Sequence, residues 1–422
     1  MHPTYGARFK CIGAACEDTC CHGFAVPVDR RTYERYQNFQ QPRLASLAQN
    51  FITLNPAPGA PDSLYANLDL LPSGDCAFFT ADRLCGIQIE DGPEALCATC
   101  SIYPRVLNTV GGTLEVSLNL SCPEAARSVL LNDGLLHSEA EVDWLPGEFN
   151  PGLPHAFRTD QSSLLATAAT CPIHKPWEHF DSIRELIFLI LRERKHSLPR
   201  RLFLLGSLAR ALSGITSDAR DETVPAILAV YRSMLAQPLL AGVRSSKPSA
   251  TQLEIVLQLS ALRLQEGAAG ERFRNCFEEF QQGIGYCLES TAIRDLRSFR
   301  EADASYCQPF FTSHPLILEN YLVNYVVKTL FPFGRGASVH STPMTISDEF
   351  LLMAMQFTWV YGLLTGIAGL YEKRFGEDQA IRTIQAYSKA VEHHPGFLLK
   401  IVAFAKARHL DTPEGIADLL QC

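Results

Sequence analysis

Cysteine density constrains this chain more than any other feature: nine of its fourteen cysteines fall in the first 122 residues. They are Cys11, Cys16, Cys20, Cys21, Cys76, Cys85, Cys97, Cys100 and Cys122. The run Cys11-Ile-Gly-Ala-Ala-Cys16-Glu-Asp-Thr-Cys20-Cys21-His22 sets four thiols and an imidazole within twelve residues. Cysteines that serve only as small apolar side chains are scattered singly. Soft thiolates gathered on loops select zinc, cuprous copper or iron–sulfur clusters. A second group follows at Cys76, Cys85, Cys97 and Cys100, and two ligand groups joined by a linker are how a chain wraps a metal. Only Cys97 and Cys100 have the CxxC gap, so this is not a plain zinc ribbon. Adjacent Cys20 and Cys21 suit either two irons of one cluster or two neighbouring sites. Spacing leaves zinc and iron–sulfur both open.

A chain of 422 residues has room for two or three domains, and 47 % hydrophobic with 19 % charged residues is globular composition. The net charge of −8 argues against a nucleic-acid partner held through phosphates. The segment Met1 to Lys10 has no apolar run of signal-peptide length, which reads as a cytoplasmic protein. In that reducing compartment thiols serve metals or catalysis rather than disulfides. Phe350 to Tyr371 carries no charge over 22 residues, long enough to cross a bilayer. Gln356 and the amphipathic segments around it argue instead for a central core helix, and no membrane insertion is expected. Gly362 and Gly366 within it have a spacing that permits close helix packing.

Texture divides the chain in two. Residues 1–150 are cysteine-rich and punctuated by Pro and Gly, and 151–422 turn to helical periodicity from about Asp181. In the first part Asp29 is placed to cap a helix whose Tyr33, Tyr36 and Phe39 share a face. Residues 55–62 read as a loop and Gly112 to Leu120 as a short strand. Ser121-Cys122-Pro123-Glu124 reads as a capping box for a helix to about Leu131. That would put Cys122 in a first turn, where the helix dipole favours the thiolate. In the second part Ile183, Leu186, Ile187, Ile190 and Leu191 form one apolar stripe. Similar stripes recur near 201–213, 252–264, 316–330, 378–391 and 397–407, with connections at 214–225, 241–251 and 332–347. No fixed repeat is present. The expected fold is mainly α: an irregular cysteine-rich metal or cluster domain with little β, then an irregular multi-helix domain that holds the substrate or partner.

No dinucleotide fingerprint, P-loop, nucleophile elbow or HExxH occurs, and the CxxxCxxC of radical enzymes fails because Gly23 stands where its third thiol would fall. His393-His394 reads as a helix C-terminal dipole partner. His22, next to Cys21, is a lesser candidate ligand. The elements CIGAACEDTCCHGF at 11–24, CAFF at 76–79, LCGI at 84–87, TCSIYPR at 99–105 and LSCPEAAR at 120–127 together resemble the flagellin lysine-N-methylases. Glu319-Asn320-Tyr321 through Tyr325 and Leu330-Phe-Pro-Phe333 extend the resemblance into the second half.

The resemblance implies methyl transfer from S-adenosylmethionine to lysine side chains of flagellin in the cytoplasm, with an iron–sulfur cluster of the 4Fe-4S kind. It carries over Cys11, Cys16, Cys20, Cys21, Cys76, Cys85, Cys100 and Cys122 as candidate ligands, while Cys97 is additional to the family pattern. Eight thiols are twice what one four-iron cluster needs, so either two four-ligand sites exist or some thiols are structural. The chemistry adds further demands. A lysine near pKa 10.4 must lose its proton before it attacks a methyl group. Glu17 or Asp18 is a candidate base or lysine contact. Aromatic faces of Tyr103, Phe78 or Phe79 suit the donor's sulfonium. Arg105 suits the donor's carboxylate, or a structural acid such as Asp75. Two other readings stand beside this one: a non-enzymatic zinc-binding interaction protein, and an iron–sulfur redox protein.

Overall fold

The computed structural model describes residues 3–24, 26–57, 59–110, 113–136, 174–237, 247–267, 269–287, 291–334 and 344–420. The chain is mostly helical and forms two compact units. One takes in His2–Ser128, and the other takes in Val129–Leu135 and the described residues from 174 onward. The division expected near residue 150 lies outside the described residues, as do most of the connections at 241–251 and 332–347.

In the cysteine-rich unit, α1 (Arg30–Gln37) starts where the sequence requires: Asp29 Oδ1 accepts from Thr32 N at 2.9 Å. Tyr36 then stacks on Phe39 at 4.9 Å, beyond the helix end, and meets Phe78. Tyr33 turns instead to Tyr65, edge-on at 5.3 Å. Helix α2 (Pro42–Phe51) leads into a three-stranded antiparallel sheet ordered β1 (Val26–Val28), β3 (Ala66–Leu68), β2 (Ile52–Leu54). Val28, Tyr36, Leu44, Ala48, Ala66 and Phe78 form its dry centre. A second pair, β4 (Arg105–Val110) and β5 (Thr113–Leu118), is antiparallel with Arg105 opposite Leu118. Of these strands only β5 shows its alternation in the sequence. Short helices α3 (Gly86–Asp91) and α4 (Ala98–Ile102) precede this pair, and α5 (Pro123–Leu130) follows it.

In the helical unit, α6 (His174–Glu178), α7 (Phe180–Arg192), α8 (Leu198–Ser213) and α9 (Thr223–Ala236) precede α10 (Ala250–Gln265). Next come α11 (Gly270–Gly283), α12 (Ala292–Ala302), α13 (Gln308–Ser313), α14 (Leu316–Thr329) and α15 (Ile346–Tyr371). The last three are α16 (Glu377–Tyr387), α17 (Pro395–Lys406) and α18 (Pro413–Leu420). All five stripe residues of α7 are buried, as an amphipathic helix demands. Capping boxes open α10 (Ser249 with Gln252) and α15 (Thr345 with Asp348).

Among the described residues α15 is the one helix long and apolar enough to cross a bilayer, and 94 % of its apolar window is buried inside the protein. It is apolar all round because other helices surround it. Its glycines mark the close crossings. A Cβ on Gly362 would lie 2.3 Å from Val256, and one on Gly366 would lie 2.2 Å from the Phe280 ring. At the end of α11, a Cβ on Gly283 would come within 1.8 Å of the Gly366 carbonyl oxygen. Backbone cannot yield as a side chain can, so Gly283→Ala is expected to cost about 2–3 kcal/mol through overpacking. Urea unfolding followed by circular dichroism checks it, and a shift no larger than that of an exposed Gly→Ala would refute the close crossing.

His393 does not serve as the charged partner of a helix C-terminus that its place in the His393-His394 pair suggests. These residues follow a π-turn (Ser388–Glu392) that extends α16. Burial first, then the Lys328 cation, pushes the His393 imidazole down to about 4. A neutral imidazole makes no charge partner for a helix C-terminus.

Candidate metal centre in the cysteine-rich unit

All nine N-terminal cysteines are free thiols, and three of them stand at the residue preceding a helix. Cys85 precedes α3, Cys97 precedes α4, and the Cys122 carbonyl accepts from Ala126 N at 2.9 Å as α5 begins. The cap of α5 is therefore Cys122, one residue later than the Ser121 box expected from sequence. The Ser121 hydroxyl lies 3.0 Å from the Tyr103 hydroxyl. The expected dipole effect on Cys122 is also overruled. N–H groups of Ala125 and Glu124 face its sulfur, yet burial outweighs them and pushes the thiol up to about 12.

Five of the other thiols influence one another electrostatically, Cys21 with Cys20 and Cys85, and Cys97 with Cys100. Sharing a proton with Cys21 lowers Cys85 to about 6 and raises Cys21, and Cys97 is lowered by Cys100 in the same way. N–H groups of Ile87 and Gln88 also face the Cys85 sulfur, without closing a capping bond of regular geometry. Cys21 and Cys76 are tied through the backbone, Cys76 N donating to Cys21 O at 2.8 Å. Cys76 and Cys97 are buried in the apolar centre, with Cys21 and Cys85 packed against it. Cys100 is exposed to solvent although neighbouring atoms crowd it. Cys11 and Cys20 are exposed; Cys16 and Cys122 are half-buried.

His22 presents one ring nitrogen to a carboxylate, its Nδ1 lying 2.9 Å from Asp75 Oδ1. Gly74 makes this possible. Its φ is +87°, and a Cβ there would stand 2.9 Å from the imidazole. Asp75 is thus held by His22 and, at 2.8 Å, by the Ser73 hydroxyl, so it is not the partner of Arg105. Arg105 donates to the Phe9 carbonyl at 2.7 Å and lies over the Phe9 ring. Glu17 is engaged by Arg127, which also holds Glu124 at 3.0 Å. Tyr103 sits half-buried against Phe24, ring centroids 5.8 Å apart, within electrostatic reach of Cys122, Cys20 and Asp18. Phe78 is 1 % exposed and serves the core, so it offers no open face to a donor; Phe79 packs on the same core.

Among the described residues, no three His, Cys, Asp or Glu side chains converge as they stand on a point where an ion would sit. Thiols as a donor type suit a soft metal or an iron–sulfur cluster, and nine of them lie in this unit. Sequence reasoning missed Arg127 and Arg83; the latter donates to the Cys16 carbonyl at 2.6 Å. Arg83 stands in no motif, and Arg127 closes the LSCPEAAR element without any spacing that marks it as the partner of Glu17.

The comparison with known families turns on the second unit. The family model for the FliB lysine N-methylase C-terminal domain matches residues 184–419, more than half of the chain. The chain belongs to the FliB lysine N-methylase family. It is also similar to the Lysine-N-methylase of Salmonella typhimurium (strain LT2), 36 % identical over 133 residues, or 31 % of this chain and 32 % of that protein. The Lysine-N-methylase of Salmonella choleraesuis (strain SC-B67) is 35 % identical over the same shares. The Flagellar biosynthetic protein FliU of Salmonella muenchen is 35 % identical over 133 residues, 76 % of its length. The match thus spans about a third of the length of the two lysine-N-methylases. No solved structure matches.

Proposed function

We propose that this protein is a lysine N-methyltransferase that moves the methyl group of S-adenosylmethionine to lysine side chains of flagellin, acting in the cytoplasm. The observation that carries the reading is membership in the FliB lysine N-methylase family, through residues 184–419. The thiol assembly supports it as the seat of an iron–sulfur cluster. When bound, such a cluster supplies a redox-active, Lewis-acidic centre and cross-links the loops that carry the cysteines. Candidate ligands are Cys11, Cys16, Cys20, Cys21, Cys76, Cys85, Cys100 and Cys122, with Cys97 added by its contact with Cys100.

The side chains around the thiols divide the remaining work. Tyr103 keeps its proton, because burial holds its hydroxyl far above the ordinary phenol range. It therefore offers an aromatic face for the sulfonium cation rather than a base. Arg105 is the cation for the donor's carboxylate, anchored by its bond to Phe9 O. Asp18, within electrostatic reach of Tyr103, is the acid assigned to the incoming lysine, and Glu17 faces Arg127. Desolvation on entry lowers the lysine pKa and frees the amine lone pair.

Anaerobically purified protein, incubated with recombinant flagellin and methyl-labelled S-adenosylmethionine, is expected to place label on lysine Nζ, read by peptide mass spectrometry. Unlabelled flagellin lysines after incubation with protein that carries its full iron and sulfide would overturn the assignment.

A further inference from the structure

We propose that Asp303 and the aromatic side chains beside it form a site for the ammonium group of a lysine side chain on the protein substrate. This rests on reading the substrate as a lysine-bearing protein, and goes beyond it by giving the helical unit a contact of its own with that protein. Asp303 opens a π-turn (Asp303–Cys307) set between α12 and α13. The turn packs against α15, whose Tyr361 hydroxyl donates to Asp303 Oδ1 at 2.7 Å. Single wide turns of this kind inside helices recur at functional sites.

Charge balance sets this carboxyl apart. Asp303 is 7 % exposed, and among the described residues no cation pairs with it and its second oxygen accepts no hydrogen bond. By contrast, Glu319, Glu392 and Glu279 of the same unit each meet an arginine or a lysine. A carboxylate taken from water without a counter-charge is costly. Burial accordingly raises the Asp303 pKa, against the hydrogen bond from Tyr361 that lowers it. An incoming cation supplies the missing charge. Ala304, Ser305 and Gln308 around it are exposed, so the carboxyl lies just beneath the surface.

The surroundings are aromatic. Phe357, one turn before Tyr361 on α15, stacks on it with ring centroids 6.1 Å apart. Phe311 of α13 meets Tyr361 at 6.1 Å, and Phe310 and Phe375 adjoin Phe311. A carboxylate among aromatic faces holds an organic ammonium by ion pairing and cation–π attraction together. The single open oxygen selects lysine over arginine. A guanidinium is recognised bidentately, through both carboxylate oxygens, and Tyr361 already occupies one of them. An ammonium needs only the other, and its apolar stem suits the rings.

The test is saturation-transfer NMR with Nα-acetyl-lysine methylamide, below saturation, as the probe. It uses the full chain purified anaerobically and carrying Asp18→Asn, so that the acid assigned to the reacting lysine does not contribute. Saturation of the protein's aromatic protons is expected to pass to the probe's Cε protons. In Asp303→Asn protein, whose amide oxygen still accepts from Tyr361, the transfer falls about tenfold through loss of a charge-assisted hydrogen bond. Tyr361→Phe protein retains it, whereas a carboxyl that only braces Tyr361 makes the two variants alike. Undiminished transfer in Asp303→Asn protein with native circular dichroism overturns the site, as does equal transfer to the uncharged Nε-acetylated probe. Transfer to S-adenosylmethionine alone, lost with Asp303→Asn, refutes the lysine assignment. Should Asp303→Asn protein fail to fold, the Nε-acetylated probe decides. Asp303-dependent transfer, together with wild-type protein that methylates no lysine, supports the site and overturns the methyltransferase reading alone.

Discussion

Glu319→Ala is expected to destabilise the helical unit by about 3–5 kcal/mol, because it strands a buried cation. The Glu319 side chain is 2 % exposed and receives Arg194 bidentately, at 2.7 and 3.0 Å. It also accepts from Arg201 at 3.0 Å, and the Arg201 side chain is only 6 % exposed. Arg201 reaches the Leu191 carbonyl as well, so the cluster ties α14 to the end of α7 and to α8. Without the carboxylate, buried Arg201 keeps only the Leu191 carbonyl and the weaker attraction of Glu193, whereas Arg194, 49 % exposed, can turn to solvent. Arg194→Ala is therefore expected to cost far less than Glu319→Ala. Glu319→Leu combined with Arg201→Met should recover much of the loss, since a well-packed apolar pair can replace a buried ion pair. Urea unfolding of the three variants, read by circular dichroism, provides the check. Equal effects for Arg194→Ala and Glu319→Ala would sink the argument.

Trp359→Ala is expected to cost a similar amount, about 3–5 kcal/mol. Trp359 lies mid-way along α15 with no exposure. Its ring meets Tyr387 edge-on at 5.1 Å, Phe273 at 6.1 Å and Phe397 at 6.1 Å, one each from α16, α11 and α17. Its indole N–H donates to the Ser260 hydroxyl of α10 at 2.8 Å. The alanine leaves a cavity bounded by four helices and removes the donor to a buried hydroxyl. Trp359→Phe refills most of the space but not the hydrogen bond, and should cost about half as much. Thermal unfolding read at 222 nm separates the two variants. Trp359→Phe matching alanine would show that the hydrogen bond, not packing, dominates the site.

Much of this was legible in sequence because it depends on near neighbours along the chain. The Asp29 cap needs only Thr32, three residues on. The stripe of α7 needs only helical periodicity, and its five residues are all buried. The uncharged run of α15 reads equally as a membrane span or a core helix by composition; its burial among α10, α11, α16 and α17 decides for the core. Strand β4 was not legible, since Arg105 to Val110 shows its pairing only opposite β5. The Cys122 thiol departs from its sequence expectation because a helix dipole is a local property whereas burial comes from distant atoms.

By itself the sequence determined that this protein is mainly helical, that its soft ligands concentrate in the first 122 residues, and which family its motifs resemble. Those are properties of composition, periodicity and spacing, which one strand of residues carries. Only the tertiary structure decided which thiols share the apolar core, that Asp75 belongs to His22, and that Glu17 belongs to Arg127. Such pairings join residues 53 and 110 positions apart, and nothing local encodes them. They arise when burial brings unlike groups into one low-dielectric place, where each must find the partner that offsets its lost water.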